Sequence, residues 1–92
     1  MSDLFHAVLT DHARRQMQRR GLAESDVLRV LQAPDSVEPV RAGRIVAHKL
    51  LPLGEPPRDY LVRVFVDVDR TPAEVVTAYR TSRIGKYRRP QG

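Results

Sequence analysis

The stretch from Tyr60 to Val68 constrains the fold of this chain more than any other. Tyr60, Val62, Val64, Val66 and Val68 fall on one side of an extended segment, and Leu61, Arg63, Phe65 and Asp67 fall on the other. This period of two is the pattern of a β-strand. A continuous valine row has to be shielded from water, so one face of the sheet built on this strand needs a second layer. With 92 residues the chain has room for one domain and one modest core, and residues 1–92 are read as that domain.

The N-terminal third supplies the layer. Thr10 or Asp11 can cap a helix that runs to about Arg20, where Gly21 is a natural left-handed stop. Glu24, Ser25 and Asp26 open a second helix whose apolar stripe of Val27, Leu28, Val30 and Leu31 ends at Pro34. Pro34 to Gly43 reads as a connection punctuated by proline, and Arg44 to Leu51 as a strand. Leu53 to Asp59, with two prolines and a glycine, reads as a hairpin loop that does not extend the ladder. After Tyr60–Val68, a turn at Asp69–Pro72 leads into a third strand from Ala73 to about Thr81. The predicted fold is α+β, with two N-terminal helices packed on one face of a small antiparallel β-sheet meander.

Alternation in the last strand assigns Val76 and Ala78 to the helix-covered side and turns Val75, Thr77, Tyr79 and Thr81 to the open side. Arg63 joins them there. Arg80 alternates away, so its reach to this face requires the strand to end or bulge. The open face then carries cations for phosphate and a ring for base stacking, as a single-stranded RNA site does.

The net charge of +5 is unevenly placed. From Val75 onward Arg80, Arg83, Lys86, Arg88 and Arg89 meet no acidic residue, whereas the preceding residues are balanced in sign. Segregated cations attract polyanions, with RNA first among them, and an acidic protein is the other class of partner. Residues 88–92 read as a flexible basic tail. A second basic patch, Arg14, Arg15, Arg19 and Arg20, lies on the first helix, so two cationic segments are expected to flank one site, with His12 and Tyr79 between them.

The absence of cysteine excludes disulfides, thiolate zinc sites and a cysteine nucleophile. His6, His12 and His48 lack metal-ligand spacing, and Gly85-Lys86 lacks the remainder of a phosphate loop, so no metal and no cofactor are expected. No signal peptide or membrane span is apparent, which gives a cytoplasmic expectation.

His12, Gln16 and Arg20 recur at intervals of four and share a helix stripe, with Arg19 beside it. Metal-free RNA cleavage needs a proton acceptor, a proton donor and fixed positive charge around the phosphorane. His12 can exchange a proton, Arg20 and Arg63 can clamp phosphate, and Tyr79 and Thr77 can orient the substrate. Arg19, Arg80, Arg83, Lys86 and Tyr87 complete the candidate RNA-binding set.

Leu9-Thr-Asp-His-Ala13, Met17, Arg20-Gly-Leu22, Asp26-Val27, Ala33-Pro-Asp35, Tyr60-Leu-Val-Arg-Val64, Val76 to Arg83 and Lys86-Tyr87 together resemble the DUF4258 family of small bacterial proteins. The resemblance implies an architecture similar to the RelE and BrnT toxins, within the barnase, EndoU, colicin and RelE group of metal-independent ribonucleases. It places the family's helix-one histidine at His12, its helix-end arginine at Arg20, its central-strand arginine at Arg63, and its last-strand threonine and tyrosine at Thr77 and Tyr79. The chain departs from the pattern at Gln16, where the family often has arginine, and at Ala23, where it often has a serine cap. The function implied is a toxin-like endoribonuclease acting on RNA, free or on the ribosome, in a toxin-antitoxin pair with an acidic antitoxin. The alternative is a non-catalytic module that binds nucleic acid or protein through its basic face.

Overall fold

A computed structural model describes residues 3–87. A 3-10 turn at Asp3–His6 precedes β1 (Val8–Leu9), α1 (Asp11–Arg19) and α2 (Glu24–Gln32). Strands β2 (Ser36–Arg41), β3 (Arg44–Leu53), β4 (Arg58–Asp67) and β5 (Glu74–Thr81) follow, and α3 (Ile84–Tyr87) ends the described chain. The fold is α+β. The strands form one sheet in the order β1-β5-β4-β3-β2, antiparallel throughout except that β1 runs parallel to β5.

Helix α1 starts at Thr10, whose Oγ1 accepts the Ala13 N–H at 3.0 Å and donates to the Val75 carbonyl at 2.9 Å. One hydroxyl therefore caps the helix and ties it to β5. The helix ends in a Schellman turn: Leu22 N–H donates to Met17 C=O at 2.9 Å and Gly21 N–H to Gln18 C=O at 3.4 Å. Gly21 sits at φ 69°, which a side chain would strain. At the start of α2 the Asp26 carboxylate accepts the Ala23 N–H at 3.1 Å, one half of a capping box that Ala23 has no oxygen to complete. At its end Lys49 Nζ donates to the Ala33 carbonyl at 2.9 Å, a cation placed at the negative pole of the helix.

The core lies between the helices and one sheet face. Ala13, Met17, Leu22, Val27, Val30 and Leu31 pack on Ala47, Leu51, Val62, Val64, Val66, Val75 and Ala78. The valine row of β4 is thus covered as its periodicity requires, each fully buried valine contributing about 1.5–3 kcal/mol relative to exposure.

Three expectations are corrected. The proline-punctuated connection contains strand β2, which pairs with β3 from Ser36↔His48 to Arg41↔Arg44. Pro39 is tolerated because β2 is an edge strand and one side of its backbone needs no ladder. The 53–59 loop is shorter than expected, since the β3–β4 ladder continues to Leu53↔Arg58 and leaves four residues to turn. On β5, Phe65 pairs with Thr77 while Val66 pairs with Val75, so Val76 is the extra residue of a bulge. Val75 rather than Val76 therefore joins Ala78 in the core, both fully buried. Thr77 and Tyr79 face the other side as expected.

Ala23→Ser supplies the missing hydroxyl and is expected to stabilise the protein by about 1 kcal/mol, which for a domain of this size raises Tm by about 4–8 °C in a thermal melt.

Candidate functional site

The face of the sheet opposite α1 and α2 carries a cluster drawn from three elements. On β4 Arg63 lies between Leu61 and Phe65, and on β5 Tyr79 is its direct cross-strand partner. Arg63 Nη1 donates to the Tyr79 hydroxyl at 2.6 Å. The Arg63 guanidinium stands 5.5 Å from the Phe65 ring centroid and 5.7 Å from that of Tyr79, and the two rings stack at 6.1 Å. These are cation–π and offset-stacking distances.

Arg20 arrives from the helix layer. It is the C-terminal cap of α1, and its side chain passes around the edge of β5 beyond the two residues that β1 covers. Nη1 donates to the Ala78 carbonyl at 3.0 Å and to Thr77 Oγ1 at 3.3 Å, and the guanidinium lies 6.0 Å from the Tyr79 ring centroid. Two guanidinium groups from different elements therefore flank one tyrosine. Thr77 accepts from Arg20 and keeps its own O–H to donate to a ligand.

Charge is sorted along the molecule. Asp67, 5% exposed, receives Arg44 Nε at 2.6 Å and Nη2 at 3.2 Å, and Arg70 bridges Asp67, Asp69 and Glu74 at 3.1–3.6 Å. The carboxylates of this end of β4 and β5 are neutralised locally. Arg14 meets Glu24 at 3.6 Å, but Arg15, Arg19 and Arg20 make no ion pair among the described residues. Cationic charge that no carboxylate pairs thus remains along α1 at Arg15, Arg19 and Arg20.

Arg20, Arg63, Thr77 and Tyr79 are brought together. His12 is not part of the cluster: it is exposed on the first turn of α1, about 12 Å along the helix axis from Arg20, and no hydrogen bond, ion pair or ring contact among the described residues joins it to the cluster. Arg19 is exposed at the last turn of α1, near Arg20 in sequence. Arg80 lies on the helix-covered side as alternation required, opposite Val62, with its guanidinium 4.7 Å from the Tyr60 ring and packed over Gly21. The bulge precedes Arg80 and does not turn it to the cluster. Arg83 is exposed, its N–H donating to Thr81 Oγ1 at 3.0 Å. The side chains of Lys86 and Tyr87, and all of Arg88 and Arg89, lie outside the described residues.

Two residues of this face escaped notice as site residues. Phe65 reads as an ordinary apolar strand position, and only the β4–β5 register stacks it on Tyr79. His48 is the β3 partner of Arg63 and is buried at 3% exposure, a placement set by where the β3–β4 hairpin turns.

The family described as a domain of unknown function, DUF4258, has a family model that matches residues 9–80. The chain belongs to this family. No curated protein and no solved structure matches it. The DUF4258 match runs from β1 to Arg80, so it takes in every residue of the cluster and stops before Arg83 and α3. Among the described residues of this DUF4258 chain, no three His, Cys, Asp or Glu side chains gather as a metal-ligand set, and no helix is long and apolar enough to cross a membrane.

Hydrogen bonds from Arg44, reinforced by the charges of Arg44, Arg70 and Arg41, hold the Asp67 carboxyl below the usual carboxylate range against the effect of burial. A lowered native value stabilises the fold fully above the unfolded value of about 3.9 and loses that contribution as pH falls through the native one. Asp67→Asn is expected to cost about 2 kcal/mol at pH 7 in urea unfolding. The difference from wild type should shrink as pH falls below the unfolded value and on through the native one, where the native carboxylate also protonates.

Proposed function

We propose that this DUF4258 protein binds single-stranded RNA at the Arg20–Tyr79–Arg63 cluster and cleaves it as a metal-independent endoribonuclease of the toxin type. The observation that carries the reading is the Tyr79 ring flanked by two guanidinium groups on a sheet face to which α1 and α2 turn their backs. Arg20 and Arg63 offer N–H donors and charge to a phosphate, and Tyr79 with Phe65 offers stacking surface to a base. The resemblance of the expected architecture to RelE and BrnT toxins supports the toxin type, a cytoplasmic site of action and an acidic antitoxin as partner for Arg15, Arg19 and Arg20, which make no ion pair among the described residues.

In such a reaction the ribose 2′-oxygen attacks the adjacent phosphorus, its proton passes to a base, and the P–O5′ bond breaks as the leaving oxygen takes a proton. The products are a 2′,3′-cyclic phosphate and a free 5′-hydroxyl. Tyr79 suits the donor role, because Arg63 holds its oxygen at 2.6 Å and offsets the negative charge that develops when the phenol gives up its proton. Arg20 and Arg63 offset the charge of the phosphorane. The 2′-oxygen and the leaving O5′ share one phosphorus, and His12, about 12 Å along α1 from Arg20, lies out of its reach, so a water molecule takes the 2′ proton.

The separation of His12 from the cluster favours a second reading, a module that binds RNA through the same residues without cutting it. The two readings part on an end-labelled oligoribonucleotide in the presence of a chelator. Under the first, wild type leaves a 2′,3′-cyclic phosphate, Tyr79→Phe slows cleavage by about 10²-fold or more, and binding is retained. Under the second, RNA is bound and stays intact. In either case Arg20→Gln should weaken binding and reduce the slope of log K against log[salt] by about 0.7. Failure to bind RNA with or without ribosomes would sink both readings.

A further inference from the structure

The cross-strand register extends the row that contains Arg63 and Tyr79. His48 on β3 opposes Arg63, and Ser36 on β2 opposes His48, so Ser36, His48, Arg63 and Tyr79 stand side by side across four strands on one face. Directly opposed residues have Cβ atoms about 4.5–5.5 Å apart. The His48 imidazole is therefore set against Arg63 from the side away from Tyr79.

Its surroundings single it out. His48 is 3% exposed, Val46 beside it on the same face is 2% exposed, and Leu61 is fully buried, so an apolar residue would serve packing equally well at position 48. Burying an imidazole there is unfavourable unless its polar atoms act on neighbours. The backbone at this point is fixed: the His48 carbonyl accepts the Asp35 N–H at 2.9 Å, and the Asp35 carboxylate accepts the Leu50 N–H at 2.9 Å. Nearly complete burial keeps the ring from touching a bound RNA strand, whereas half-buried Arg63 and Tyr79 are within its reach.

We propose that His48 is the positioning residue of this site, its imidazole walling Arg63 on the β3 side and so holding the guanidinium on the Tyr79 hydroxyl. Long arginine side chains have many rotamers, and a rigid neighbour on one side leaves the one that meets Tyr79. The consequence for RNA rests on the function proposed above, while the positioning itself does not.

A double-mutant cycle between His48 and Arg63 tests the positioning. The variants are His48→Ala, Arg63→Met and the double substitution, with His48→Gln as the conservative replacement. Two readouts are used: the phenol ring-carbon resonance of Tyr79 in 13C-tyrosine protein, assigned with Tyr79→Phe, and the affinity for a fluorescent uridine oligoribonucleotide. His48→Ala should move the Tyr79 resonance in the same direction as Arg63→Met and weaken RNA binding by about tenfold, a coupling of the size that contacting residues show. His48→Gln should restore both toward wild type. In the Arg63→Met background, His48→Ala should change neither. Should His48→Ala fail to fold, His48→Val, a strand-favouring side chain too short to wall the guanidinium, carries the same comparison. A Tyr79 resonance unmoved by the folded His48 variants, or effects of equal size with and without Arg63, would overturn the proposal. A coupled Tyr79 resonance in a wild type that binds no RNA would support the positioning and overturn the RNA reading alone.

Discussion

The placement of the site depends on the bulge at Val76. In a regular strand Val75, Thr77 and Tyr79 lie on one face. Here Val75 is fully buried under the helices while Thr77 and Tyr79 stand on the opposite face with Phe65 and Arg63. One extra residue separates the two requirements, so β5 can close the core at its start and present polar and aromatic groups along the rest of its length. The bulge also lies between the two points at which α1 is fastened to β5. Thr10 holds the Val75 carbonyl through both its N–H and its hydroxyl, at 3.2 and 2.9 Å, and Arg20 holds the Ala78 carbonyl at 3.0 Å. With Ala13 and Met17 buried between these ties, the helix cannot shift along the strand without breaking one of them. Arg20 is thereby both a fastening of the fold and the cation that reaches Tyr79.

Electrostatics gives the site its polarity. The carboxylates near the β4–β5 turn are matched by Arg44 and Arg70, whereas Arg20 is held by neutral acceptors, a carbonyl and a hydroxyl. Hydrogen bonds to neutral oxygens fix a guanidinium in place without cancelling its charge, which leaves it available to an anion. An ion pair at the same point would have traded attraction for anchorage. A formal charge of +5 understates this arrangement, because the carboxylates near the β4–β5 turn are matched locally while Arg15, Arg19 and Arg20 make no ion pair among the described residues.

Most of the architecture was legible from periodicity and from stop signals. The valine row of β4, the stop at Gly21 and the acidic first turn of α2 are local patterns with local causes, and each lies where its residues indicate. The parallel strand β1 is two residues long and carries no periodicity, so it left nothing to read. Strand β2 was masked by Pro39, which marks a break inside a sheet but is harmless on an edge. The bulge was legible only in part: the buried demand of Val75 conflicts with the facing of Tyr79, and nothing in one strand shows which residue gives way. At the site, Arg63, Thr77 and Tyr79 follow from alternation on one face, and Arg20 from the helix end. His12 shares a stripe with Arg20, but a helix stripe fixes direction and not reach, and the side chain stays clear of the cluster. Phe65 and His48 became site residues through register, which a hairpin turn sets and composition does not.

The central claim is that Arg20, Arg63 and Tyr79 form one surface for a single-stranded polyanion. Its most direct test is the perturbation of backbone and side-chain resonances of the isotope-labelled protein on titration with a short oligoribonucleotide. The account predicts saturable shifts concentrated at Arg20, Arg63, Phe65, Thr77 and Tyr79, with the exposed surface of α2 unaffected. Shifts confined to α2 or to the residues after Tyr87, or no shift at low salt, would contradict it.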